Sequence, residues 1–224
     1  DRYRLYLSIA RPDNLFITDL QEKFQTAGIE VKNSNLGQLP ETTWFHYPSD
    51  YLGDIVHSLN VRSDNLYAES VLRLLSLSAH EKGSAEKGID IIRKYWQNYE
   101  ADSLELFMYD GSGLARNNKV SAKYLNCVLK ETARDSLIGE YFVQTLPLAG
   151  KEGSVATIMK HGELPGELRL KSGSMSDVHA YAGYYTTPQN RYAIVVMINN
   201  YTCTRAQLKQ KISTLLTQVL SKKE

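Results

Sequence analysis

The sequence predicts a mixed α/β protein of the α+β kind: an antiparallel sheet flanked by helices, with a helical lobe in the middle of the chain. Three observations carry this. Three strand-like runs, about Leu168 to Met175, Val178 to Thr186 and Tyr192 to Asn199, follow one another directly, and consecutive strands with short connections pair antiparallel. A cluster of amphipathic segments fills the centre, and a last amphipathic segment, Thr204 to Leu220, closes the chain.

In order, Tyr3, Leu5, Leu7 and Ile9 alternate with polar neighbours and predict a first strand. Pro12 and Asp13 open a helix carrying Leu15, Phe16, Leu20 and Phe24, and Gly28 stops it. The span from Gly28 to Pro48 reads as loop and short strand. A helix over about Asp50 to Leu59 sets Leu52, Ile55, Val56 and Leu59 on one face. Another begins near Asp64 and buries Val71, Leu72 and Leu75. Ser84 to Tyr99 is the next, with Ile89, Ile92 and Trp96 at helical spacing. "LELFMYDGSGLARNN" is a strand running into a glycine-rich loop, followed by helices at about Ser121 to Thr132 and Leu137 to Gln144. "LAGKEG" and "HGELPG" are loops. The closing helix turns Leu208, Ile212, Leu215 and Val219 inward. No repeat, low-complexity segment or linker marks a domain boundary.

The 224 residues, 42% hydrophobic, suffice for one sizeable core, or one domain plus an appendage. Lys+Arg number 26 against 25 Asp+Glu, so no basic stripe argues for nucleic acid. No apolar run reaches the length of a membrane span, and no signal peptide opens the chain. Cys127 and Cys203 read as free thiols or as one disulfide in an oxidising compartment. With no CxxC, HExxH or His/Cys cluster, neither metal nor cofactor is expected.

Three short stretches can carry chemistry. Ser63-Asp64-Asn65 opens a helix, and by itself reads as ordinary capping. Asp110 to Asn118, "DGSGLARNN", by itself is a turn whose glycines supply positive φ. Lys171-Ser172-Gly173 by itself is an exposed strand edge. Together, S-D-N and K-S-G in this order match two of the three signatures of serine β-lactamases and penicillin-binding proteins, with Ser172 in place of the threonine of K-T-G.

On these residues the chain resembles the class C low-molecular-mass penicillin-binding proteins, the D-alanyl-D-alanine carboxypeptidase/endopeptidase family. "SDNLYAESVLR", "DGSGLAR", "LKSGSMSDVHAYAGYY" and the opening "LFITDLQEKFQTAGIEV" are similar to that family's own runs. The resemblance implies a β-lactamase/transpeptidase-like fold, an incomplete one. The family's nucleophile lies in an S-x-x-K motif ahead of S-D-N, and none precedes Ser63. The one match, Ser84-Ala85-Glu86-Lys87, follows it and reads as a helix N-cap. Residues 1–224 are therefore expected to be the C-terminal part of a penicillin-binding transpeptidase-like domain.

The resemblance also implies roles. A serine attacks the penultimate D-alanine carbonyl of a peptidoglycan stem peptide, and β-lactams inhibit. Ser63 relays a proton to the leaving nitrogen, and Asn65 fixes the substrate amide and holds the catalytic lysine. Asp64 caps the helix. Lys171 supplies positive charge at the cleft edge, and Ser172 donates a hydrogen bond to the substrate carboxylate. Gly173 leaves room for substrate, and the Ser174 N–H forms half of the oxyanion hole. Ser112 and Leu114 wall the peptide stem. Arg116 either grips a diaminopimelate carboxylate or anchors its own loop. Met175 either lines the same pocket or packs in the core. His161 and His179 read as structural. A periplasmic or other extracytoplasmic, envelope-associated location follows from the substrate. The competing expectations are a non-catalytic module binding peptidoglycan or protein, and, more weakly, a hydrolase using Ser84.

Overall fold

The computed structural model describes residues 11–31, 48–79, 82–99, 105–159 and 164–222. The strand expected over Tyr3 to Ile9, most of the stretch before Pro48 and His161 lie outside these residues. The chain divides into two compact units, residues 1–48 and 49–224.

In the first unit, α1 runs Pro12–Thr26. Proline sits at its start, where a missing N–H costs nothing. Gly28, at φ 75, ends it. The Gly28 N–H bonds the Gln25 carbonyl and the Ile29 N–H reaches back to Phe24, the paired closure that a left-handed glycine permits.

The second unit begins with a helical lobe: α2 (Leu52–Arg62), α3 (Asn65–Ser78) and α4 (Ala85–Trp96). Two short strands, β1 (Leu106–Phe107) and β2 (Lys119–Val120), pair antiparallel and close the glycine-rich loop between them. The sequence predicts the first strand and not the second. Then come α5 (Ala122–Arg134), α6 (Gly139–Thr145), a 3-10 turn at Gly153–Val155, β3 (Glu167–Met175), β4 (Val178–Thr186), β5 (Arg191–Asn199) and α7 (Arg205–Leu220). The sheet has the order β3-β4-β5, both pairs antiparallel, as the sequence predicts.

Alternation along the strands separates two cores. On one face Leu168, Leu170, Tyr181 and Tyr185 pack with Val155, Ile158 and the inner side of α7. On the other, Tyr184 packs with Leu129 of α5, Val143 of α6 and Leu146 just past its end. The buried Tyr184 hydroxyl donates to the Leu129 carbonyl at 2.7 Å, and burial pushes its pKa well up.

Two expectations about helix faces need correction. In α7 the inward residues are Leu208, Ile212, Leu216 and Leu220, whereas Leu215 and Val219 are 51% and 47% exposed. The buried stripe steps by four throughout, turning about 40° per step around the helix, and the twisted sheet follows it. In α2, Leu52 is exposed. The close contact there is made by Gly53, where a Cβ would sit 1.9 Å from the Tyr141 ring of α6. The buried Asn60 fastens the far end of α2, donating to Thr145 at 3.0 Å.

Ser84 caps α4, its side chain accepting from the Lys87 N–H, and its own N–H donates to the buried Ser76 hydroxyl at 2.8 Å. Ser84 is the capping residue the sequence predicts. Cys127 and Cys203 are not joined to each other by a disulfide. Among the described residues no helix is long and apolar enough to cross a membrane.

Candidate active site

Ser63 stands between α2 and α3 in the left-handed conformation, φ 55 and ψ 50. A side chain pays for that conformation, and glycine is the usual occupant. The turn is so tight that Asp64, the next residue, already caps α3 by accepting the Tyr67 N–H at 3.1 Å. With Asp64 taking the cap, the Ser63 hydroxyl is left for other work. Asn65 is the first residue of α3, and it is exposed.

Lys171 approaches from β3. Its Nζ donates to the Ser63 Oγ at 2.8 Å and to the Ser172 carbonyl at 2.9 Å. Those bonds use two of its three protons. Because Ser63 accepts here, its own proton stays available. Burial holds the Lys171 pKa below the ordinary lysine value. The S-D-N and K-S-G stretches are thus brought together.

The outer edge of β3 is half covered. Ala149 donates to the Leu168 carbonyl at 2.8 Å and Leu170 donates to the Pro147 carbonyl at 3.0 Å. Leu168 and Leu170 therefore aim their backbone groups away from β4. By alternation Ser172 and Ser174 do the same, and among the described residues no strand pairs with them there. Beside them Gly173 faces open space, since a Cβ would meet no atom within 4 Å. Packing does not demand this glycine. Met175, half-buried, shares the Lys171 and Gly173 side of the strand.

The glycine-rich loop rests on α3. A Cβ at Gly111 would lie 2.6 Å from the Ala68 carbonyl, about one helical turn, some 5 Å, along α3 from Asn65. Glu69, on the next position, accepts the Gly111 and Ser112 N–H groups at 3.0 Å each and the Ser112 hydroxyl at 2.8 Å. Burial alone would raise the Glu69 pKa, but the bonds from Ser112 and Gly111 outweigh it and hold the group below the usual carboxylate value. Asp110 is governed the same way. Burial opposes its charge, while Asn118, Ala115 and Gly113 donate to it and lower its pKa. The Ser112 proton is committed to Glu69, so this hydroxyl offers a ligand only its lone pairs. Leu114 and Arg116 stand exposed on the loop.

The family model for D-Ala-D-Ala carboxypeptidase 3 (S13) matches residues 2–222. The chain belongs to the S13 family. It is 25% identical over 193 residues to the D-alanyl-D-alanine carboxypeptidase of an Actinomadura species, covering 81% of this chain and 36% of that protein. Its fold matches the crystal structure of penicillin binding protein 4 from Haemophilus influenzae with TM-score 0.74 at 23% identity, over 95% of this chain and 50% of that one. An extended-spectrum β-lactamase superposes with TM-score 0.55 at 16% identity, over 76% of this chain and 64% of that one. The β-lactamase-like fold expected from the sequence is the fold of this S13 chain, and the chain spans about a third to a half of the length of the relatives it matches.

Three residues beside these stretches escape sequence reading. Glu69 and Asp110 organise the loop, and Ser154, in the 3-10 turn, lies 2.7 Å from the Ser172 hydroxyl. The D-G-S-G pattern carries a signal for Asp110, since Asp before a tight turn captures the N–H groups that follow. Nothing local marks Glu69 or Ser154, whose partners lie 43 and 18 residues away. His179 is buried, its Nε2 2.8 Å from the Tyr181 hydroxyl. Burial and then Lys209 and Arg205 lower its pKa, and burial pushes Tyr181 up to about 12. Among the described residues no group of three His, Cys, Asp or Glu side chains is placed to hold a metal ion.

Proposed function

We propose that this chain forms the substrate-binding and proton-relay walls of a serine D-Ala-D-Ala carboxypeptidase/endopeptidase acting on peptidoglycan stem peptides. The observation that carries it is the Lys171–Ser63 contact beside an unpaired strand edge. An extended peptide adds to such an edge through its own backbone. Its terminal carboxylate meets the Lys171 charge and the Ser172 hydroxyl, and the Ser174 N–H points to where a carbonyl oxygen becomes negative. Ser63, holding a free proton against a lysine of lowered pKa, passes it to the departing amine. Asn65 orients the scissile amide, and Leu114, Arg116 and Met175 flank the stem.

The attacking serine is supplied from outside these 224 residues, giving an acyl-enzyme that water or another amine resolves. β-Lactams, which carry a carboxylate beside a reactive carbonyl, occupy the same groove. The work is done outside the cytoplasmic membrane, where the stem peptides lie.

The test is D-alanine release from N-acyl-D-Ala-D-Ala by the full-length protein and its Lys171→Ala and Ser63→Ala variants. Each substitution is expected to lower kcat/KM by about a hundredfold or more, the scale of a lost proton relay. Turnover unchanged in both variants contradicts the proposal. Peptide binding without release in the unaltered protein identifies a binding module instead.

A further inference from the structure

Ser154 lies 2.7 Å from Ser172, hydroxyl to hydroxyl, and its turn is pinned on both sides. Gly153, at φ 51, backs so closely on the last turn of α2 that a Cβ would sit 2.3 Å from the Val61 carbonyl, two residues before Ser63. Val155, on the other side, is fully buried in the core between the sheet and α7. The Glu152 carboxylate takes the Leu148 N–H at 2.8 Å, and the Gly150 N–H reaches the Val155 carbonyl at 3.0 Å. Ser154 is thus held at a fixed place relative to both lips of the groove, yet its side chain is exposed. A surface serine carried on so fixed a turn, facing another serine on the open edge, has a chemical consequence.

We propose that Ser154 is a positioning residue for recognition of the terminal carboxylate, an inference that rests on the function proposed above. Each hydroxyl has one proton to donate and two lone pairs to accept with. In the structure Ser172 donates to Ser154. When a carboxylate arrives, Ser172 turns its proton to the anion and Ser154 donates to Ser172 in its place. The pair stays closed in both states, and the Ser172 rotor is held where its proton meets the ligand. No covalent bond changes; two hydroxyl protons rotate. The partner this pair selects is a peptide ending in a free carboxylate rather than in an amide.

The experiment titrates the full-length protein with N-acetyl-D-Ala-D-Ala and with its C-terminal carboxamide, following ligand binding by NMR. The unaltered protein is expected to prefer the free acid. Ser154→Ala should weaken acid binding by about fivefold, the worth of one hydrogen bond, and leave carboxamide binding unchanged. Ser154→Thr should restore the preference and Ser154→Val should not. A merely structural role would weaken both ligands together, and that result overturns the inference. So does an acid preference untouched in Ser154→Ala but lost in Lys171→Ala, while the functional reading then stands. No acid preference in the unaltered protein defeats both.

Discussion

The Nζ of Lys171 lies 2.8 Å from the Oγ of Ser63, a contact between residues 108 positions apart. It joins the middle of a strand to the two-residue corner between two helices. Nearly every feature of the surrounding chain fixes one end or the other. The Asn60–Thr145 bond ties α2 to α6, and β3 is held between β4 and the Pro147 to Ala149 segment.

Ser63 sets conformational cost against chemistry. Ser63→Gly and Ser63→Ala both remove the hydroxyl from Lys171, but only glycine relieves the left-handed backbone, worth about 1–2 kcal/mol. The glycine variant should unfold at higher urea than the alanine variant, by about 1 kcal/mol of stability, with neither releasing D-alanine at the original rate. Equal or reversed urea midpoints would show that the corner is not strained.

Gly173 should separate stability from binding. A methyl there meets nothing within 4 Å, so Gly173→Ala should shift stability by no more than about 0.5 kcal/mol. In the proposed groove the same methyl meets the added peptide strand, and affinity for N-acetyl-D-Ala-D-Ala should fall by about tenfold or more. Thermal melts and peptide titration of one sample check both halves. Undiminished affinity would place the peptide elsewhere.

Glu69 predicts a pH dependence with a definite sign. Its folded pKa lies below the ordinary value, so the stability it contributes is complete above its unfolded pKa, about 4.3, and is lost as pH falls through the lower folded value. Asp110 adds to the loss with the same sign. Glu69→Gln should therefore melt lower than the unaltered protein at pH 7, and the gap should narrow as pH drops below about 4.3. A gap constant from pH 7 to pH 3 would mean the carboxylate charge does not hold the loop.

Two positive-φ glycines should respond differently. Gly113 has open space around it, whereas Gly153 backs on the Val61 carbonyl. Gly113→Ala should cost about 1 kcal/mol, the conformational term alone. Gly153→Ala adds a backbone collision and should cost about 3 kcal/mol. Urea unfolding of the two variants compares them directly.

The sheet, the central helices and the closing helix were legible because period-2 and period-3.6 patterns report burial locally. The site motifs were legible because S-D-N and K-S-G are rigid chemical signatures. Leu215 and Val219 were misplaced because a heptad stripe and a four-step stripe share Leu208 and Ile212 and diverge only afterwards. Serine by itself reads as a cap, but Asp64 does the capping, as the resemblance implies, and the backbone adds what the sequence does not carry: the left-handed conformation of Ser63. Ser154 and Glu69 were not legible, since what they do depends on residues brought near by tertiary folding.

The central claim is that the 63–65 corner and the 171–174 edge are opposite lips of one peptide-binding groove. The most direct test is an amide chemical-shift map of the protein with N-acetyl-D-Ala-D-Ala added. The N–H signals of Ser63, Asn65, Ser172 and Ser174 should move together along one saturation curve. Shifts at only one lip, or at neither while the peptide binds elsewhere, would contradict it.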